Sequence, residues 1–176
     1  MEALSEYTDY LTYLPLVIII FVLIKTWHNV GSRWFLTLLL TVECVDSYSF
    51  QYSMQWTTHY YGWSILMGLL FLVPSFYRRE IASRLYDATG HSFFDQARKL
   101  SFTQFEAALL FITFISILAN AVSYIEIFMY KYFVIDTPYF RTFVLGKLQI
   151  LLHILACLAI LSFSLKSNRE KLYETA

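Results

Sequence analysis

Glu43 and Asp46 stand three residues apart in a run, Trp34 to Trp56, that is dominated by apolar and aromatic residues. Three residues is close to one helical turn, so both carboxyls fall on one face of a helix. A charged side chain at the centre of a bilayer costs roughly 2.5–3.5 kcal/mol, and such groups turn toward a partner or a water-filled cavity. Two carboxylates on one face also repel when both are ionised, which suits the pair to share a proton or hold a cation. Tyr48 and Tyr52 follow on the same helix, deeper than an interfacial belt requires. They either line a cavity or donate hydrogen bonds to neighbouring helices.

Two further apolar runs carry polar residues at helical spacing. Thr113, Ser116, Asn120 and Ser123 make one stripe; Gly146, Gln149, His153 and Cys157 make another, with Lys147 beside it. Counted from the ends of their runs, Asp46, Asn120 and His153 all lie about 10–15 Å below the same surface, at ~1.5 Å per residue. Equal depth on three helices permits contact. The competing account is structural. Small residues let membrane helices approach, and Ser, Thr, Asn and His bond across the interface. Lys147 would then pair with Asp46 or Glu43, or simply extend outward to the headgroups.

Catalytic templates fail. There is no H-E-x-x-H, no G-x-S-x-G and no P-loop. His28, His59 and His91 fall outside the apolar runs, so a haem held by two histidines in the hydrocarbon lacks a second ligand beside His153. Glu43, Asp46 and His153 together are a weak metal set. Cys44 and Cys157 both lie within spans and read as buried, inert thiols rather than a disulfide framework. The expectation is a protein that is not an enzyme, with no cofactor assigned.

The elements that must position these residues follow from composition. Hydrophobic residues make up 58% of 176 and charged residues 15%, a balance found in membrane proteins. A helix needs about 20 apolar residues to cross the core. Runs suited to this cover approximately 10–27, 34–55, 60–77, 105–130 and 142–165, and the expectation is an all-α bundle of five transmembrane helices forming one polytopic domain over 1–176. Strands of alternating polarity, which a barrel requires, are absent. With no basic segment before it and no small-x-small site after it, the first run reads as a retained span.

Charge is sorted by loop. Lys25, Arg33, Arg78, Arg79, Arg84, Arg98, Lys99, Lys166, Arg169 and Lys171 gather on one side, against Lys131 and Arg141 on the other. The positive-inside rule then puts the acidic N-terminus (Glu2, Glu6, Asp9) outside and the tail 166–176 in the cytoplasm. An odd number of spans agrees. Tyr7, Tyr10, Tyr13, Tyr60 and Tyr61 crowd the outer half as an interfacial belt would. Thirteen basic and thirteen acidic residues cancel, which gives nucleic acid no electrostatic footing. The location implied is a plasma or inner membrane.

The cytoplasmic loop 78–102 reads as two interfacial helices broken at Gly90. Ile81, Leu85 and Ala88 form an apolar edge on the first, and Ser92 with Asp95 fits a capping box opening the second. Phe93, Phe94, Ala97 and Leu100 should lie against the membrane or the base of the bundle, with Gln96, Arg98 and Lys99 in water. Thr103-x-x-Glu106 is a capping box for the fourth span, and Glu126 falls at that span's outer, hydrated end. Pro15 suits the first turn of the first span and Pro138 the start of the fifth, while Pro74 should kink the third.

Two functions fit. In one, the second, fourth and fifth spans enclose an outward-facing acidic, aromatic pocket that binds a proton, a cation or a small ligand, for transport or sensing. In the alternative, the chain is a non-catalytic membrane subunit or regulator whose polar stripes join partner helices or a second copy of itself.

Overall fold

The computed structural model describes the backbone of residues 2–53 and 55–174, and side chains over 14–53 and 55–164. The side chains of Glu2, Glu6, Asp9, Tyr7, Tyr10 and Tyr13, and of Lys166, Arg169 and Lys171, lie outside that range. Among the described residues all regular structure is helical, with no strand: α1 (Glu2–Lys25), α2 (Val30–Ser53), α3 (Tyr60–Phe76), α4 (Arg78–Thr89), α5 (Ser92–Lys99), α6 (Gln104–Lys131) and α7 (Gly146–Glu174), the last entered through a π-helical turn, Phe140–Leu145.

The long helices close into a ring in which α1 packs on α2, α2 on α3, α3 on α6, α6 on α7 and α7 back on α1. Inside it, Ile19, Val22, Phe35, Leu36, Phe71, Leu109, Ile160 and Phe163 form the main core. Phe35 meets Phe71 edge-on at 5.1 Å and Phe163 in a stack at 6.0 Å. The α3–α6 seam is close because Gly68 has no side chain: a Cβ there would sit 2.6 Å from Ile117 Cγ1. Outward, the ring is apolar. Phe111, Phe114, Leu118, Val122 and Ile125 are exposed along one face of α6, and Ile150, Ile154, Leu158 and Leu161 along α7. An apolar surface this extensive is suited to lipid rather than water.

Among the described residues, two helices are long and apolar enough to cross a membrane: Gln104–Lys131 and Phe140–Ser164. Tyr60–Phe76 with Arg78–Thr89 makes a third if the pair counts as one broken span, bent by 69°. The bend falls at Tyr77, three residues beyond Pro74. On α2, Arg33, Glu43 and Asp46 lower its apolar character.

Several local expectations change. The α1 backbone begins at Glu2, so Pro15 lies inside the helix rather than in its first turn. The cap of α5 is His91, whose Nδ1 accepts the Phe93 N–H at 3.2 Å, and not Ser92. Asp95 is drawn instead to Arg98 and Lys99. On α4 the buried positions are Arg78 and Ala82, while Leu85 and Ala88 are exposed. Gly90, at φ 64°, ends α4 in the left-handed conformation that glycine adopts without strain.

The α5 face packs on the base of the bundle through Phe93, Phe94 and Ala97, whereas Leu100, expected on the same face, is exposed where the helix ends. Phe93 stacks on Trp34 at 6.0 Å, Phe94 meets the same ring edge-on at 6.1 Å, and Ala97 is fully buried. The Arg33 guanidinium lies 4.1 Å from the Phe93 ring centre. The Trp34 indole N–H is buried there without a hydrogen-bond partner among the described residues.

Candidate functional site

A cavity of about 610 Å³ occupies the interior of the ring between α2, α3, α6 and α7. α2 contributes Glu43, Asp46, Ser47 and Phe50; α3 contributes Tyr60, Tyr61, Ser64 and Gly68. From α6 come Thr113, Ser116 and Asn120, and from the α7 segment Gly146, Gln149 and His153. Further along each helix, away from Tyr60 and Tyr61, the wall turns apolar at Leu39, Phe71, Ile112, Leu152 and Ala156. No Lys or Arg lines it.

Of the residues singled out from sequence, Glu43, Asp46, Asn120, Gln149 and His153 therefore share one cavity. Three others are elsewhere. Tyr48 and Tyr52 pack against each other on the outer face of α2, 77% and 59% exposed. Helical geometry explains this: they sit two and six residues past Asp46, so their side of α2 points away from the ring. Lys147 is exposed on α7, and among the described residues neither Glu43 nor Asp46 forms an ion pair, so the structural bridge to Lys147 does not form.

The polar stripe of α6 is satisfied mostly within its own helix. Thr113 Oγ1 donates to the Leu109 carbonyl at 2.9 Å, Asn120 Nδ2 to Ser116 at 2.9 Å and Ser123 Oγ to Ala119 at 3.0 Å. Between helices, Ser116 Oγ reaches Gln149 Oε1 at 3.5 Å, a long contact. Asn120 is only 7% exposed on the cavity wall. Cys157 is buried on α7, whereas Cys44, expected buried, is exposed on α2.

The rim involves residues that sequence spacing did not reveal. The Trp63 indole N–H donates to Ser49 Oγ at 3.1 Å and lies within electrostatic reach of Asp46. Arg141 Nε donates to the Tyr61 hydroxyl at 3.0 Å. Glu126, expected in water, accepts the backbone N–H groups of Phe140 and Arg141, each at 2.8 Å, and so anchors the start of the last helix. His59 and Tyr124 join α3 to α6 through a 3.1 Å ring-nitrogen to hydroxyl contact.

Comparison with protein-family models, with curated proteins and with solved structures finds no match to this chain. The chemistry of the site is therefore read from the site alone. Among the described residues no three His, Cys, Asp or Glu side chains converge to hold a metal ion. What the cavity offers is two carboxyls, amide and hydroxyl acceptors, an imidazole and aromatic faces. Such a set has the chemistry to orient positive charge or hydrogen-bond donors.

Proposed function

We propose that the chain is a five-span membrane protein, N-terminus outside and C-terminus in the cytoplasm, whose outward-facing cavity binds a proton, a cation or a small ligand for transport or sensing. One observation carries the reading: Glu43 and Asp46 share a 610 Å³ cavity with Asn120, Gln149 and His153, and no Lys or Arg lines its wall. Carboxyls inside a helix bundle are costly unless something compensates them, and a bound partner does so. The cavity also lies within the roughly 300–1,000 Å³ range of small-molecule sites. Its reach to the first turn of α3 supports access from the outer end.

The alternative, a non-catalytic subunit or regulator, draws support from the exposed Tyr48 and Tyr52, which offer a polar edge to a partner helix or a second copy.

Asp46→Asn separates the two, because it keeps shape and hydrogen bonding and removes the ionisable group. The pocket reading expects at least a tenfold loss of ligand binding or uptake, with folding and insertion intact. Lowered thermal stability with activity unchanged, measured on the same purified protein, would sink the pocket and promote the subunit.

A further inference from the structure

We propose that the corner where α1 turns into α2 binds an anionic phospholipid, its phosphate on Arg33 and an acyl chain along α1. Arg33 lies in the first turn of α2, away from the acidic cavity. Its guanidinium is 5.3 Å from the Trp27 ring centre and 4.1 Å from that of Phe93. Ring faces stabilise the guanidinium plane and leave the N–H donors at its edge to other partners. Among the described residues that edge takes part in no ion pair. A planar fork of this kind matches two oxygens of a phosphate.

The surroundings give the sign of the ligand. One turn back along α2 and one turn on along α5, a crevice of about 440 Å³ opens between the two elements. His28, Asn29, Gly31, Gln96 and Lys99 line it, and no acidic side chain does. The acids close by are engaged, Asp95 by Arg98 and Lys99, and Glu106 by Arg78. An anionic headgroup therefore meets Arg33 with its charge uncompensated. The ammonium of a zwitterionic headgroup finds no counter-charge in the crevice wall.

A second, independent feature favours a lipid over a soluble phosphate. Leu14, Val17, Phe21 and Ile24 are all exposed, and their spacing of three and four residues puts them on one face of α1. The stripe leads to Trp27, the exposed ring beside Arg33. From Leu14 to Ile24 it runs roughly 15 Å at ~1.5 Å per residue. That is half of a hydrocarbon core about 30 Å thick, the depth of one leaflet. Lys25 and Trp27 then stand at the headgroup boundary, where such side chains concentrate.

Native mass spectrometry of the full chain, titrated with phosphatidylglycerol and phosphatidylcholine of identical acyl chains, tests this. Phosphatidylglycerol should bind at least about fivefold more tightly, the effect of one basic side chain at an anionic surface. Arg33→Gln should abolish the preference, and so should His28→Glu, which puts a negative charge in the crevice. Lys131→Gln, at the opposite end of the bundle, should leave it unchanged. Equal binding of the two lipids, or a preference that survives Arg33→Gln, overturns the assignment. An equal loss from Lys131→Gln would make the preference a general charge effect and overturn it too. Displacement of the lipid by millimolar inorganic phosphate would reassign Arg33 to a soluble phosphate and remove the lipid. His28 is exposed, so His28→Glu decides the matter even where Arg33→Gln fails to fold.

Discussion

Arg78 and Glu106 are 2% and 1% exposed, and their side chains meet at 2.8 Å. Arg78 Nη2 also donates to the Leu100 carbonyl at 3.1 Å, and its guanidinium lies 4.8 Å from the Phe102 ring centre. The second Glu106 oxygen accepts the Thr103 N–H at 2.7 Å, completing the cap of α6. One carboxylate thus ties α4, the α5–α6 connection and the first turn of α6 together. Arg78 Nε is left buried without a partner among the described residues, so the guanidinium depends heavily on Glu106. Removing one member of such a pair strands the other charge and costs about 3–5 kcal/mol, whereas replacing both by apolar residues is often neutral. Glu106→Ala should lower unfolding free energy by that amount, and Arg78→Met with Glu106→Leu should recover most of it. Chemical unfolding in one detergent checks both; a loss below about 1 kcal/mol for Glu106→Ala would show the pair to be incidental. The cap was legible from Thr103-x-x-Glu106, because a capping box is local. The ion pair was not, since its partner lies 28 residues away and looks like one more basic loop residue.

At the scale of elements, α5 is the piece most open to solvent control. Asp95 accepts from Arg98 Nη2 and from Lys99 Nζ, each at 2.6 Å. The Arg98 guanidinium in turn lies 4.6 Å from the Tyr86 ring centre on α4. The hydrogen bond from Lys99, then that from Arg98, holds the Asp95 carboxyl below its ordinary range. A carboxyl whose pKa is lower folded than unfolded stabilises the fold above its unfolded value, about 3.9, and that contribution is lost as pH falls through the folded value. Docking of α5 should therefore loosen at pH below about 4, and Asp95→Asn should flatten that limb. Trp34 fluorescence is the readout, because Phe93 and Phe94 pack on that ring. Superimposable acid titrations of the two proteins would remove Asp95 from the account. The α5 face itself was legible, since Phe93, Phe94 and Ala97 recur at helical spacing. Its cap was not: Ser92 and His91 are adjacent candidates, and which backbone N–H needs an acceptor depends on how the chain leaves Gly90. The 69° turn after α3 was similarly half visible. Pro74 announces a bend, but the chain turns at Tyr77, next to the buried Arg78.

For the whole molecule, the ring makes sense of α2, whose apolar run is interrupted by Arg33, Glu43 and Asp46. Carboxyls at mid-membrane cost roughly 2.5–3.5 kcal/mol each when they face lipid. Turned into the ring cavity, Glu43 and Asp46 escape much of that cost. On the five-span proposal their helix crosses with its neighbours; Cys44, Val45 and Tyr48 are exposed on its other side. The connections 26–29 and 132–139 are short, and helices joined so are antiparallel neighbours. The two ends of α2 are therefore where the five-span arrangement stands or falls, since the loop 78–102 and the tail share a side whether or not α2 crosses. Single cysteines are introduced as His28→Cys, Thr57→Cys, Arg84→Cys and Asp136→Cys into a Cys44→Ser, Cys157→Ser background, then challenged with a membrane-impermeant thiol reagent on intact cells. Thr57→Cys and Asp136→Cys should label from outside, and His28→Cys and Arg84→Cys only after lysis. Labelling of His28→Cys and Thr57→Cys from the same side would mean that α2 does not cross. The acids would then lie at a surface rather than inside a transmembrane pocket, and the ligand reading would fall with the topology.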